Sequence, residues 1–323
     1  MLLILFHLRL GFLQLVDFPV DLFKPLRVIG PVILAAGAIG SPHILQLSGV
    51  GDPEHLGRIG VDLHHELRGV GRNMQDHYLA RVSCNVRGAP SLNQQSRGLG
   101  LAGQVLRYLA TGNGILTYAA SLVAASVKVL PESATPDVQA LFAHGSYAPG
   151  VSRQLDTVPG MTCGMWQMRP LSRGYVEARS ADPREQPAIN PRYFSDETDC
   201  RAAVGGMRWI RRLFATPALA KYVVAETVPG KDVQSDDEML HYVKQTGGTV
   251  FHATCTCRMG RDLMAVVDDR LRVQGLQRLR VIDASVMPAV TSLNTNAPTI
   301  MIAEKGAAMV REDARGNMRD MAA

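Results

Sequence analysis

LRVIDASVMPAVTSLNTNAPTIMIAEK, residues 279–305, is the stretch on which the fold turns. Its first four residues, Leu279 to Ile282, are a short β-branched run suited to a buried strand, and Asp283 stands where the C-terminal end of that strand falls. In open α/β sheets that edge is where ligands bind. Thr295-Asn296-Ala297-Pro298-Thr299 then puts a proline in the first turn of a helix, where its missing N–H costs nothing. The free N–H groups and positive dipole end of such a helix point back into the polar loop Asn294-Thr295-Asn296 and suit a ligand with partial negative charge. A plain helix start fits the same residues equally well.

A second α/β unit lies far upstream. VILAAG, residues 32–37, reads as a buried strand and a tight turn; Ser41-Pro42 then predicts an N-cap and an N1 proline for the helix HILQLSG, closed by Gly49. Gly37 would let the backbone approach a ligand closely. Residues 69–77, GVGRNMQDH, form a polar loop. From Leu79 the character changes: LARVSCNV, SLVAASVKV, VQALFAH, MTCGMWQM and GYVEAR predict strands of an antiparallel sheet, interrupted by the helix LAGQVLRYLATGNG. Two further helices are predicted near 197–215 and 236–245, the first with Val204, Met207, Ile210 and Leu213 at helical spacing. The chain returns to α/β character at Gly247.

Composition narrows the function classes. With 323 residues, 46% hydrophobic and 20% charged, the chain can bury a sizeable core. Net charge is +5 with arginines scattered rather than in stripes, which leaves no footprint for nucleic acid. Five cysteines, odd in number and mostly lone, favour a reducing, cytoplasmic compartment over a disulfide framework. The first 26 residues, MLLILFHLRLGFLQLVDFPVDLFKPL, are interrupted by His7, Arg9 and Asp17. They fall short of the roughly 20 apolar residues of a transmembrane segment and lack the pattern of a signal peptide. Residues 1–29 are assigned to no domain.

The candidate base is His252 in GGTVFHATCTCRMG, a residue type whose pKa suits proton transfer near neutrality. A structural histidine is the alternative. His252, Cys255 and Cys257 read less well as metal ligands, because a structural zinc site needs four ligands and no second Cys pair accompanies them. The runs Gly49-Val50-Gly51 and Gly69-Val70-Gly71 read as turns, since neither follows a strand and opens a helix, and no complete G-x-G-x-x-G fingerprint is read in the chain.

Four segments together resemble the glucose–methanol–choline (GMC) oxidoreductases, flavoenzymes that oxidise alcohols with FAD. These are VILAAGAIGSPHILQLSGVG (32–51), GVGRNMQDH (69–77), PLSRGYVEARSADPREQPAINPRYF (170–194), and the region 252–309 with HATCTCRMG, VIDASVMP and NTNAPTIMIAEK. The resemblance implies a partial FAD/NAD(P)-type nucleotide-binding domain of α/β class, over 30–78 and 247–316. It is interleaved with a substrate-binding domain, 79–246, built on an antiparallel sheet with helices; 317–323 form a tail. The family pattern also implies roles: His252 as catalytic base and Asn296 as its active-site partner. Asp283, Ala284, Ala297 and Thr299 would lie against FAD, and Gly37 and Ala38 near its ADP portion. The implied reaction is oxidation of a CH–OH donor to an aldehyde by hydride transfer to flavin, with a small-molecule alcohol as substrate and an unassigned electron acceptor.

Two departures from the family stand out. Its N-terminal strand, glycine-rich turn and helix are not matched, so the chain looks like the C-terminal portion of such an enzyme. Choline-oxidising members tend to carry a Glu two residues after the Asp-His pair, where this chain has Leu79 after Asp76-His77; an uncharged primary alcohol is the better expectation. The competing reading is a non-catalytic binding module without bound flavin.

Overall fold

The computed structural model describes residues 31–119, 121–148 and 154–322, with side chains described as far as residue 315. The helices are α1 (Gly37–Leu47), α2 (Pro53–Arg58), α3 (Leu92–Gln95), α4 (Gly98–Thr111), α5 (Glu197–Phe214), α6 (Pro217–Ala220), α7 (Asp236–Thr246) and α8 (Asn296–Ala322). The strands are β1 (Val32–Leu34), β2 (Val50–Gly51), β3 (His65–Glu66), β4 (Tyr78–Val86), β5 (Val123–Val127) and β6 (Val138–Ala143). After them come β7 (Gly160–Gln167), β8 (Tyr175–Glu177), β9 (Ala188–Asn190), β10 (Val223–Val228), β11 (Gly248–Thr249) and β12 (Leu279–Val281). The class is mixed α/β, and the chain divides into two compact units. Among the described residues, one comprises those up to Asp76, Ser172–Tyr193 and those from Phe251; the other comprises those within 77–171 and Phe194–Val250.

In the first unit β1 and β12 pair in parallel, Val32 opposite Leu279 and Leu34 opposite Val281. The core includes Leu34, Leu45, Val266, Val267, Val281 and Ile302. Helix α1 begins at Gly37, four residues before the Ser41 predicted to cap it. Two substitutes explain the shift. Gly37 adopts a φ of 79° that most side chains resist, which lets the chain turn directly from β1 into the helix. Pro42, now inside the helix, cannot donate to the carbonyl of Ala38. Thr256 Oγ1 donates to that oxygen instead, at 2.6 Å. Ser41, freed from capping, donates its hydroxyl to Asp283 Oδ2 at 2.5 Å and accepts from the N–H of Ala36.

The second unit is a sheet in the order β10-β4-β7-β6-β5, with β11 added to β4. Its neighbours run antiparallel, as the alternation in LARVSCNV and VQALFAH predicts. Helix α5 lays Ala203, Met207, Ile210 and Phe214 into the core with Val82, Val138 and Met165 of the sheet. Its N-cap Asp196 accepts from the N–H of Thr198, and arginines 211 and 212 close its last turn, matching the helix dipole at both ends.

Three sequence expectations need correction. GYVEAR does form a strand, β8, but it pairs with β9 as a separate hairpin of the first unit rather than joining the large sheet. Residues 172–193 therefore pack with the nucleotide-type segments, although the sequence reading groups them with 79–246. The spacing G-x-G-x-x-G does occur, at Gly98, Gly100 and Gly103, and the sequence reading overlooked it. It sits in α4 behind the short helix α3 rather than behind a strand, so it lacks the βαβ context of a dinucleotide site. The expectations for residues 1–29 lie outside the described residues.

Candidate active site

The site is built where two loops of the first unit pair. Gln75 and Thr254 exchange backbone hydrogen bonds at 3.2 and 2.9 Å, which sets the polar loop ending at Asp76 beside the loop that carries His252. Asp76 then acts as a two-sided clamp. Its Oδ1 accepts the backbone N–H of His252 at 2.8 Å, and its Oδ2 accepts the hydroxyl of Tyr193. Gln75 fixes a third segment, its Oε1 accepting the N–H of Val290 at 3.0 Å. Phe251, just before the histidine, has a φ of 62°, a left-handed conformation that non-glycine residues adopt sparingly and that is found disproportionately near functional sites.

The imidazole of His252 is buried. Burial pushes its pKa below the ordinary 6.5, and the negative charge of Asp76 opposes part of that shift. The ring is therefore neutral at pH 7 and able to accept a proton. Asn294 Nδ2 lies 3.2 Å from Nε2. With the amide donating, Nε2 is the acceptor and the ring proton sits on Nδ1.

Asn294 leads into α8, and the sequence-predicted partner, Asn296, is the first residue of that helix, exposed along with Ala297. Thr299 turns inward: its N–H and its hydroxyl both go to the carbonyl of Thr295, at 3.0 and 2.7 Å. The first turn of α8 contains no acidic residue. The open N–H groups there suit an electron-rich group.

Asp283 is buried and its carboxylate is fully engaged. Oδ2 accepts from the N–H of Gly37 at 2.9 Å and from Ser41, and Oδ1 accepts from the N–H of Ser285 at 2.8 Å. It thus caps both α1 and the 3-10 turn Ala284–Val286. That turn packs against α1 and against α8, so Gly37, Ala38, Asp283, Ala284, Ala297 and Thr299 are brought to one neighbourhood by elements in direct contact. At Gly37 a β-carbon would meet nothing within 4 Å, so there is open space beside the turn.

Both cysteines after His252 are buried structural groups. Burial raises the Cys255 thiol to about 11 and pushes the Cys257 thiol well above its ordinary value. Neither presents a thiolate nucleophile at neutral pH.

Sequence reasoning quoted Asp76 and Asn294 but gave neither a role, and it passed over Tyr193. Asp76 stands 176 residues from His252 in the chain, and nothing in spacing or composition pairs them.

Comparison with known proteins gives a consistent answer. Residues 27–79 and 170–303, together more than half the chain, match the two family models described as GMC oxidoreductase. The chain is 38% identical to the alcohol dehydrogenase (acceptor) of Pseudomonas putida, over 87% of its own length and 51% of that protein. It is 40% identical to the oxygen-dependent choline dehydrogenase of Ectopseudomonas mendocina, over 87% of its length and 50% of that protein. Among solved structures, a formate oxidase of Aspergillus oryzae superposes with a TM-score of 0.79 at 25% identity, covering 88% of this chain and 55% of that one. The chain spans about half the length of the curated relatives it matches. Sequence and fold agree, and the chain belongs to the GMC oxidoreductase family.

Proposed function

We propose that the chain carries the proton-handling part of an FAD-dependent alcohol oxidation, with a small uncharged alcohol as substrate and an aldehyde as product. The observation that carries this reading is His252: a buried, neutral imidazole, clamped through its backbone by Asp76, with Nε2 directed at an amide next to the open end of α8. Support comes from the names of its relatives, an alcohol dehydrogenase and choline dehydrogenases, and from the formate oxidase study, which concerns modification of FAD.

FAD, when bound, would supply the acceptor for the hydride of the alcohol carbon. The residues that fit it are the Gly37-Ala38 turn, Asp283-Ala284, and Ala297 and Thr299 in the first turn of α8. There the helix end favours negative charge and the turn at Gly37 leaves space for close approach. His252 Nε2 takes the hydroxyl proton of the alcohol. Asn294 holds that nitrogen's lone pair until the hydroxyl displaces it. Asn296 donates to the substrate oxygen as it gains alkoxide character. In this reading 30–78 and 247–316, joined by the β8–β9 hairpin, hold the cofactor, and 79–246 otherwise frame the substrate. Leu79, in place of a carboxylate, favours an uncharged alcohol over choline. A cytoplasmic location belongs to the same reading and is supported by five free thiols.

The test is anaerobic reduction of the FAD-loaded protein by an aliphatic alcohol, followed in the visible spectrum. His252→Ala is expected to slow it by about 10²- to 10⁴-fold, the scale of general-base loss. An unchanged rate removes His252 from the mechanism, and failure of the chain to take up FAD supports the binding-module reading instead.

A further inference from the structure

The chain leaves and re-enters the unit that carries His252 at four places, and three of them meet at one carboxylate. Asp76 ends the first segment of that unit, Tyr193 ends the second, and His252 follows Phe251 at the start of the third. Asp76 is 4% exposed, and a charge so buried needs hydrogen-bond donors. Two of its donors come from the other two segments. They are the N–H of His252 on Oδ1, at 2.8 Å, and the hydroxyl of the half-buried Tyr193 on Oδ2.

The backbone on either side of Tyr193 is unusual. Arg192 has a φ of 51° and Phe194 a φ of 58°, left-handed conformations that are costly for non-glycine residues and persist where the surrounding structure holds them. Arg192 is held by its own N–H on Asn190 Oδ1, at 3.0 Å, and by its guanidinium over the Tyr175 ring, 5.5 Å from the centroid. Asn190 and Tyr175 stand opposite one another in the β8–β9 hairpin. That hairpin is fastened in turn to the loop ending at Asp76. Met74 and Gly174 exchange backbone hydrogen bonds at 3.0 and 2.9 Å, and Val176 donates to the Gly71 carbonyl at 2.7 Å. The Tyr193 hydroxyl is thus carried to Oδ2 by a hydrogen-bonded support and not by a free surface turn.

We propose that Tyr193 is a positioning residue for His252. Its hydroxyl fixes the Asp76 carboxylate, so that Oδ1 stays on the His252 amide and part of the negative charge facing the imidazole is shared with a donor. The catalytic purpose of this arrangement rests on His252 being the base of the proposed reaction; its effect on the imidazole does not.

Tyr193→Phe keeps the ring and removes the donor. In the full chain without flavin, His252 is titrated by its ring-proton resonances, assigned by their loss in His252→Gln. With less of its charge shared, Asp76 should favour the imidazolium more, and the His252 pKa should rise by about 0.3–0.5, opposite to the fall expected in Asp76→Asn. In Asp76→Asn/Tyr193→Phe the value should match that of Asp76→Asn alone, because the influence of Tyr193 runs through the carboxylate. Amide hydrogen exchange at His252 should quicken about two- to tenfold in Tyr193→Phe, with cooperative melting retained. The inference is overturned if the pKa does not rise in the single variant, if it rises equally with and without the Asp76 charge, or if exchange at His252 is unchanged. In the FAD-loaded protein the acid limb of flavin reduction should move to higher pH in Tyr193→Phe. If alcohol reduces no flavin in the parent, the proposed function fails, and the titration still decides the role of Tyr193.

Discussion

His252 owes its proton affinity to two opposed influences, the burial that lowers its pKa and the Asp76 carboxylate that raises it. The balance can be tested by removing one side. In Asp76→Asn the amide oxygen can still accept the N–H of His252, so the loop stays in place while the charge is lost. The imidazole pKa, already below 6.5, should fall further, measured by the pH titration of its ring protons. Because a base works only when deprotonated, the acid limb of flavin reduction should move to lower pH with it. A rise instead would show that the field of Asp76 is not what acts. Asp76→Ala is a harsher change, leaving a buried N–H and the Tyr193 hydroxyl without this acceptor, at a cost of about 1–3 kcal/mol.

Helix α8 is the element that ties the site to the rest of its unit, and it is held at two levels. Near its middle, Gly306 lets the helix backbone approach the strand end: a β-carbon there would fall 2.6 Å from Ile282 Cγ2. About two turns further on, Asp313 gathers Arg270 at 2.9 Å and Arg272 at 2.7 Å, together with the buried Arg280. Asp313→Ala should destabilise the protein by about 3–5 kcal/mol in urea unfolding, because it strips a buried guanidinium of its carboxylate. The Arg272 hydrogen bond holds the Asp313 carboxyl below its ordinary 3.8, with further help from Arg270. This contribution is therefore complete above that pH and is lost as the pH drops through the lowered value. The gap between parent and variant should narrow in acid. A constant gap from pH 7 to about pH 2 would assign the loss to packing rather than charge.

At the scale of the whole molecule, each unit has its own core. Met207 is fully buried between α5 and the sheet, so Met207→Ala should cost about 2–5 kcal/mol in thermal denaturation, with a change below 1 kcal/mol showing that the cavity collapses. Much of this organisation was legible in the chain. The alternation of LARVSCNV and the helical spacing of Val204, Met207 and Ile210 gave elements close to those observed, because local periodicity reports burial directly. β10 went unread: its VVAETV lies at a sheet edge with no residue fully buried, so no apolar face shows in the sequence, and it carries a glutamate that pairs with Arg211. The start of α1 was misplaced because Ser41 and Pro42 look like a cap locally, and only Asp283 and Thr256, more than 200 residues away, supply the groups that replace one. The same holds for Asp76 with His252. Side-chain partnerships across such distances leave no periodic trace. The bond from Gly37 to Asp283 spans 246 residues, and this separation also orders events during synthesis. Both segments of the sheet unit are synthesised before Phe251, whereas the turn at Gly37 must wait for Asp283. The unit that carries His252 is thus the last to be completed, and its earlier segments wait through most of synthesis for the long-range contacts that close it.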